Sequence, residues 1–396
     1  MNSLTRVEKH VIKKGHRLYR YCDDLCFKSK NLYNYTNYLM RKEFVETGKL
    51  KSAFDYNKLL KNEDVFRELP SKTSQQVIIK LSQNWKAFFK SIKDWSKNKS
   101  KYTGKPKLPK YKEKNGRNIV MFDYQQGTLK NGKFKFPKTD LYIETDIPKE
   151  QFRQVQIVPY GSCYKITIIY RKKIEVKECS KSNYLAIDLG VDNIATLTNN
   201  IGQQPIVING KVIKSINQYY NKKLGKYRSC VPNSTSNRIQ KLNVKRNNKI
   251  DTHFHRISRF IVDYAKGIDI GIIVIGRNKD WQRNTNIGRK NNQNFVSIPF
   301  EKLIYQIQYK AEELGIEVIV NEESYTSKAS FIDGDKMTKG TEFSGKRISR
   351  SLYKSKSGTI INADANGSYN ILRKCNHQFS YEVVEGVSLH PIRLTV

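Results

Sequence analysis

Three acidic residues stand in settings suited to divalent-metal phosphodiester chemistry. Asp188 follows the apolar run Tyr184-Leu-Ala-Ile, within IDLGVDNIATLT. Glu323 follows the apolar stretch that begins at Ile316, within IEVIVNEESYTSK, and Asp364 opens a predicted helix in INADANGSYNILRK. A carboxylate at a strand end or helix start is held by the backbone packing behind it while solvent still reaches it. Three such groups, converging, would hold two Mg²⁺ ions roughly 3.5–4 Å apart, which stabilise the attacking and leaving oxygens of a phosphodiester. Glu322 and Glu323 are adjacent, and neighbouring side chains at a strand end face opposite ways, so only one joins such a site. Glu323 is preferred, with Glu322 as the alternative. Singly, Asp364 also reads as a helix-start acid beside a capping Asn362, and Asp188 as a turn residue before Gly190. The combination, with the charge described next, points to a nuclease.

The chain has 73 Lys+Arg against 36 Asp+Glu, a formal net charge of +37 over 396 residues. Such a charge repels itself, and a phosphate-rich partner relieves the repulsion by releasing counterions. The length allows two or three domains with sizeable cores. The six cysteines include no C-x-x-C pair; Cys22 and Cys26, four apart, suit one face of a helix better than a zinc knuckle. No signal-peptide core opens the chain and no apolar run approaches the roughly 20 residues of a membrane span, so no membrane partner and a reducing, cytoplasmic setting are expected.

The elements that must position the acids follow from periodicity. Residues 1–24 read as short strands. From Leu25 to about Thr47 the pattern is helical, with Leu25, Leu32 and Leu39 on one stripe and Gly48 as a stop. A second helix is predicted from Ser74 to Trp95: Val77, Leu81, Trp85, Phe88, Ile92 and Trp95 form a core stripe, and Lys80, Lys86, Lys90 and Lys93 a candidate nucleic-acid face. Between Lys80 and Lys138 stand seventeen basic and three acidic residues, and KYTGKPKLPKYKEKNGR reads as a basic connector along a phosphate backbone. Tyr164, Ile166, Ile168 and Tyr170 alternate after a Tyr160-Gly161-Ser162 turn, a hairpin pattern. Residues 1–24 and 118–178 are thus expected to form one β-domain with the helices of 25–117 inserted. From Tyr184 onward, strands ending at Asp188, over IATLTNN, at Pro205–Ile213, Ile270–Ile275 and Ile316–Val320 alternate with helices. Antiparallel strands first, then strands alternating with helices, fit an RNase H-like mixed sheet.

These motifs resemble those of the TnpB family, RNA-guided endonucleases encoded by bacterial insertion sequences and kin to type V CRISPR effectors and eukaryotic Fanzor proteins. The carriers are LCFKSKNLYNYTNYLMRKEF, YLAIDLGVDNIATLT, YKAEELGIEVIVNEESYTSK and NADANGSYNILRK, in family order across nearly the whole length. The resemblance implies an α+β multidomain fold. A small β-barrel-like wedge domain (1–24 and 118–178) would carry an inserted helical recognition lobe with its basic connector (25–117). An RNase H-like (RuvC) α/β nuclease domain (183–328 and 359–375) would follow, with a target-nucleic-acid-binding insert (329–358) and a C-terminal tail (376–396). The first and third RuvC acids map onto Asp188 and Asp364. The implied activity is Mg²⁺-dependent cleavage of double-stranded DNA, with a transposon-end RNA as guide and a short flanking motif read by the protein itself. A monomer is favoured. Tyr38, Lys72 and Gln76 are candidate readers from their place on polar helix faces, and Lys346, Arg347 and Arg350 are candidate backbone contacts.

Two departures from that family stand out. Many relatives carry the second RuvC acid at the end of the IIVI strand, where this chain has Gly276; Glu323 resembles the relocated glutamate of Fanzor-like and some TnpB proteins. Relatives also commonly follow YTSK with a four-cysteine zinc ribbon, yet Ala329–Ile361 contains neither Cys nor His. That insert is expected to be metal-free, with no zinc. Gly276 also motivates an alternative, a guide-directed DNA binder that does not cut. A third reading is a transposase joining DNA ends, although such enzymes usually place a Glu last and carry a separate end-binding domain.

Overall fold

The structure is a computed structural model that describes residues 2–174, 179–231, 235–278, 288–387 and 389–396. The chain divides into two compact units, Met1–Ile174 and Glu175–Val396. Both mix helices with sheets, and no helix among the described residues is long and apolar enough to cross a membrane.

The first unit begins with β1 (Asn2–Ile12), α1 (Tyr19–Thr47), α2 (Ala53–Leu60), α3 (Asp64–Arg67) and α4 (Ser71–Lys97). It continues with β2 (Val120–Asp123), β3 (Thr128–Lys130), β4 (Lys133–Lys135), β5 (Tyr142–Glu144), β6 (Phe152–Tyr160) and β7 (Cys163–Ile174). The N-terminal strand pairs along its whole length with β7, so an antiparallel sheet of order β1-β7-β6-β2 draws together the two segments that flank the helices. β3, β4 and β5 form a separate three-stranded sheet, and among the described residues no ladder joins it to the first. The barrel-like expectation is therefore corrected to two open sheets. They share a core through Phe122, Phe134, Phe136, Ile143 and Phe152, because strands of three residues are too short to wrap and close a barrel.

Helix α1 starts at Tyr19, six residues earlier than the periodicity of its leucines suggests. Cys22 joins Leu25, Cys26 and Leu32 on the buried face, and no Gly or Pro interrupts the run. It stops at Gly48, whose φ of 69° turns its N–H back to the Phe44 carbonyl. In α4 the first half of the stripe (Val77, Leu81, Trp85) is core, with the Trp85 indole donating to Asn37 Oδ1 at 3.1 Å. The basic connector is fastened to α1. The Asn34 and Asn37 amides and the Arg41 guanidinium donate to carbonyls of Lys112 and Pro109, and Lys30 donates to that of Lys114. Those bonds hold its backbone in an extended course and leave Lys107, Lys110 and Lys112 exposed.

The second unit comprises β8 (Tyr184–Asp188), β9 (Asn193–Asn199), β10 (Ile206–Asn209), α5 (Lys211–Arg228), α6 (Asn237–Gly267), β11 (Ile272–Gly276), α7 (Arg289–Val296) and α8 (Phe300–Glu313). Then come β12 (Glu317–Asn321), β13 (Lys346–Arg347), β14 (Leu352–Lys354), β15 (Ile360–Asn362), α9 (Ala363–Cys375) and β16 (Ile392–Leu394). Its main sheet has the order β12-β11-β8-β9-β10-β16. β8, β9 and β10 are antiparallel neighbours, while β11 and β12 run parallel to β8. The sheet is thus mixed, its first strands antiparallel and its later ones, separated by helices, parallel. The inner strands β8, β9, β10 and β11 are buried on both faces, as their near-continuous apolar runs require, while successive side chains still alternate between the faces. Leu185, Ile187, Ile273 and Ile275 join a core with α6 and α8, whereas Ala186, Ile272 and Val274 pack with Tyr369, Ile371 and Leu372 of α9.

One expectation needs correction here. The C-terminal segment read as a tail supplies a sheet strand: β16 pairs in parallel with β10. The sequence offered three residues of pattern, too few to register. The insert, in turn, is built onto the last helix. Phe331 stacks on Tyr369 with ring centroids 4.6 Å apart and on Phe379 at 5.4 Å. The amides of Asn366 and Asn370 hold the Ala329 and Thr326 carbonyls, and the Asp335 carboxylate accepts from the Ser330 and Ser344 backbone amides. Aromatic stacking and a buried polar network order this segment.

Candidate active site

Asp188 is the last residue of β8 and, two positions after Ala186, projects to the α9 side of the sheet. Asp364 lies in the first turn of α9, where the Asn362 side chain caps the helix by accepting from the amides of Asp364 and Ala365 at 3.0 and 3.1 Å. Gly367, one turn on, faces Asp188: a Cβ there would stand 3.1 Å from Asp188 Oδ2. A side chain at 367 would press the acid away from the helix. Glu323 arrives two residues past β12, and its carboxylate reaches back over the end of β11, where a Cβ on Gly276 would come within 2.7 Å of Glu323 Oε2 and collide with Ile371.

Asparagines hold two of the three acids. The Asn193 amide donates to Asp364 Oδ2 at 2.6 Å. Asn278 donates to Glu323 Oε1 at 3.4 Å and accepts the Glu323 backbone N–H at 3.2 Å. Neither was singled out in the sequence, although Asn193 lies within the same IDLGVDN run as Asp188. Glu322 points the other way: it is exposed, 3.1 Å from the Lys374 ammonium. Of the two adjacent glutamates, then, Glu323 is the one turned toward the site.

The electrostatics are those of crowded, half-desolvated acids. Burial, followed by the charges of Glu323 and Asp364, pushes the Asp188 carboxyl well above the usual range, against the Arg347 guanidinium and the Leu189 amide. Burial and then the Glu322 charge push Glu323 up to about 7, opposed by Lys374. Glu323 Oε2 is buried and has no hydrogen-bond partner. A buried carboxylate oxygen without a donor is costly unless a proton or a cation answers it. Among the described residues, however, no three Asp, Glu, His or Cys side chains are close enough to hold a metal ion as they stand. The Arg347 guanidinium lies 3.4 Å from Asp364 Oδ1 and supplies positive charge there.

A cavity of about 660 Å³ opens beside Asp188 and Asp364. Arg347 and Arg350, expected to run along a nucleic-acid backbone, line it and face carboxylates: Arg347 that of Asp364, and Arg350 that of Asp192, which also accepts from Lys214 at 2.6 Å. Both guanidiniums are paired in this way because the short hairpin of β13 and β14 carries them onto the acid cluster. Lys346 is exposed on β13.

In the first unit, Tyr38 is 53% exposed on α1, and Lys80, Lys86 and Lys90 are exposed along α4. Lys72 and Gln76 are half-buried near the start of α4. Lys72 lines an open cavity of about 750 Å³ with Gln125, Gln126 and Lys138, of which Tyr38, Gln76 and the three lysines are not part.

Comparison with known proteins agrees with the sequence motifs. Residues 167–282 match the OrfB_IS605 family, described as "Probable transposase", and residues 300–371 match the "Cas12f1-like, TNB domain" family. A CRISPR-associated endodeoxyribonuclease Cas12f1 from Sulfoacidibacillus thermotolerans is 36% identical over 134 residues, 34% of this chain and 29% of that protein. The chain thus aligns with under a third of that relative's length. The fold is like that of the protein in a cryo-EM structure of a Cas12f1–sgRNA–target DNA complex, with 14% identity over 89% of this chain and 82% of that one and a TM-score of 0.54. The mini-RNA-guided endonuclease CRISPR-Cas_phi3 is similar at a TM-score of 0.47, 11% identity, 98% of this chain and 94% of that one. Two stretches of the chain, 167–282 and 300–371, are thus similar to the OrfB_IS605 and Cas12f1-like families, in agreement with the motifs.

Proposed function

We propose that this protein is an RNA-guided DNA endonuclease whose second unit is an RNase H-like, RuvC-type nuclease cutting double-stranded DNA by Mg²⁺-dependent phosphodiester hydrolysis. The observation that carries the reading is the seat of Glu323. Its carboxylate fills the space over Gly276, leaves one oxygen buried without a donor, and lies near enough to raise the proton affinity of Asp188. Such a group fits a divalent cation, and Asp188, Glu323 and Asp364 are the residues that would hold it. When bound, Mg²⁺ would supply Lewis acidity toward the scissile phosphate and lower the pKa of the attacking water.

The chain's own residues have separable parts in this reading. The close passage of Gly367 keeps Asp188 against α9. Asn193 and Asn278 orient Asp364 and Glu323, and Arg347 meets negative charge developing on the phosphate. The exposed lysines of α4 and the connector suit the backbones of a guide RNA from a transposon end and of its DNA target, whose pairing would read the sequence. The relatives named above support guide RNA and target DNA as partners. A short flanking motif read from the α4 start, a monomeric state and action in the bacterial cytoplasm complete the proposal.

A second reading, guide-directed DNA binding without cutting, draws on the pairing of Arg347 with Asp364 and on the absence, among the described residues, of a gathered metal-ligand set. One experiment separates the two. RNA co-purified with the protein from cells carrying its native locus is sequenced, and the complex is given a guide-matched plasmid and Mg²⁺ across a library of flanking sequences. Cutting that is lost in Glu323→Ala, with RNA binding kept, supports the nuclease. Protection of the target without a nick supports the binder, and strand-transfer products would mean a transposase.

A further inference from the structure

The register of the main sheet sets four residues in one row across four strands. Asp188 on β8 is paired with Thr196 on β9, Thr196 with Val207 on β10, and Val207 with Arg393 on β16. Directly paired residues present their side chains to the same face, and all four line the 660 Å³ cavity. Arg393 therefore shares the face of Asp188, three strand spacings or about 14 Å away. Lys211, the first residue of α5, lines the same cavity.

Charge is divided along this cavity. At the acid end, Arg347 and Arg350 are paired with Asp364 and Asp192. Arg393, three strands from Asp188, and Lys211, one residue past the Gly210 amide that donates to the Asp192 carbonyl, are exposed and make no ion pair among the described residues. Two such cations lining one trough with an acid cluster, Arg393 three strands beyond it, are complementary to a polyanion that passes the cluster and continues beyond it. At a rise of about 3.4 Å per nucleotide, 14 Å corresponds to roughly four nucleotides, and to fewer in an extended single strand.

We propose that Arg393 and Lys211 seat phosphates of the nucleic-acid strand being cut, Arg393 holding a phosphodiester roughly two to four nucleotides from the reacting one and Lys211 one nearer the acids. The proposal rests on the nuclease reading and adds the direction in which the strand crosses the sheet, from Asp188 over Thr196 and Val207 toward the C-terminal strand. Arg393 and Lys211 act as positioning residues: they hold charge away from the reacting atoms, so their loss weakens the hold on the strand more than it slows the chemical step.

The test uses the full chain with its guide RNA and DNA in which single phosphates near the cut are replaced by neutral methylphosphonates. In the wild type, one position on the β16 side should raise KM about tenfold. In Arg393→Ala the KM for unmodified DNA should already be raised by a similar factor, with no further penalty at that position. Arg393→Lys should restore most of the affinity, and Lys211→Ala should lower the slope of log affinity against log salt by about 0.7. Equal penalties in wild type and Arg393→Ala at every position, or an unchanged salt slope in Lys211→Ala, would overturn the seat. Absence of cutting by the wild type would count against the nuclease reading alone. The same methylphosphonate series, read as binding in Ca²⁺, then tests the seat separately.

Discussion

The carboxylate of Glu323 occupies the volume that a side chain on Gly276 would need: a Cβ at 276 would lie 2.7 Å from Glu323 Oε2. The two residues end on neighbouring parallel strands, with Gly276 paired to Asn321 and Glu323 two positions further on. A glycine that looks like a lost ligand in the sequence is thus the space a displaced ligand requires. Gly276→Ala is expected to cut on the order of 100-fold more slowly, the scale of a catalytic group displaced by about 1 Å. Overpacking against Ile371 should also destabilise the protein by about 1–3 kcal/mol. Guide-RNA binding should persist, and cutting at wild-type rate would show that Glu323 does not depend on this space.

Asn193 holds Asp364 through a 2.6 Å hydrogen bond. Partners that orient a ligand typically matter by about 10–100-fold in metal affinity or activity. Asn193→Ala should therefore raise the Mg²⁺ concentration for half-maximal cutting by about that factor while the melting temperature changes little. A variant with an unshifted Mg²⁺ titration would remove Asn193 from the site.

The insert between the YTSK motif and α9 depends on Phe331, which is 1% exposed and stacked against both Tyr369 and Phe379. Phe331→Ala is expected to cost about 3–5 kcal/mol by opening a cavity in this stack. A strong zinc chelator should leave the wild-type melting temperature unchanged, because Ala329–Ile361 has no Cys or His to release a metal from. A chelator-induced fall in melting temperature would contradict the metal-free reading.

Lys310 gives a pH signature away from the acids. It is 4% exposed and donates to the His255 carbonyl and to Ser258 Oγ, both at 2.7 Å. Burial, followed by the Arg259 charge, brings it down to about 8. Its unfolded value is about 10.4, so between pH 8 and 10 the unfolded chain binds more protons than the folded one, and this group adds stability as pH rises. Below pH 8 its contribution is constant. The stability difference between wild type and Lys310→Met, followed by denaturant unfolding, should shift in favour of the wild type across that window. A flat difference would show that Lys310 titrates normally in the fold.

The amino-acid sequence by itself determined the features that arise within a few residues. Gly48 stops α1 because its φ of 69° suits glycine, Asn362 caps α9, and Tyr160-Gly161-Ser162 turns the β6–β7 hairpin. It also marked the three acids as candidates, since their settings and order are local, and it carried the alternation of strands with helices that predicts a mixed sheet. Tertiary structure alone decided which distant pieces meet. That β16 completes the sheet, and that Arg393 shares a face with Asp188, depends on backbone pairing between segments about two hundred residues apart, which three residues of pattern cannot encode. That Phe331 packs on Tyr369, and that Arg347 and Arg350 turn onto carboxylates instead of lying free, follows from shape and charge matching across the fold. The fate of Gly276 was decided in the same way: only the packing of β11 against β12 and α9 shows that its missing side chain is the room in which Glu323 sits.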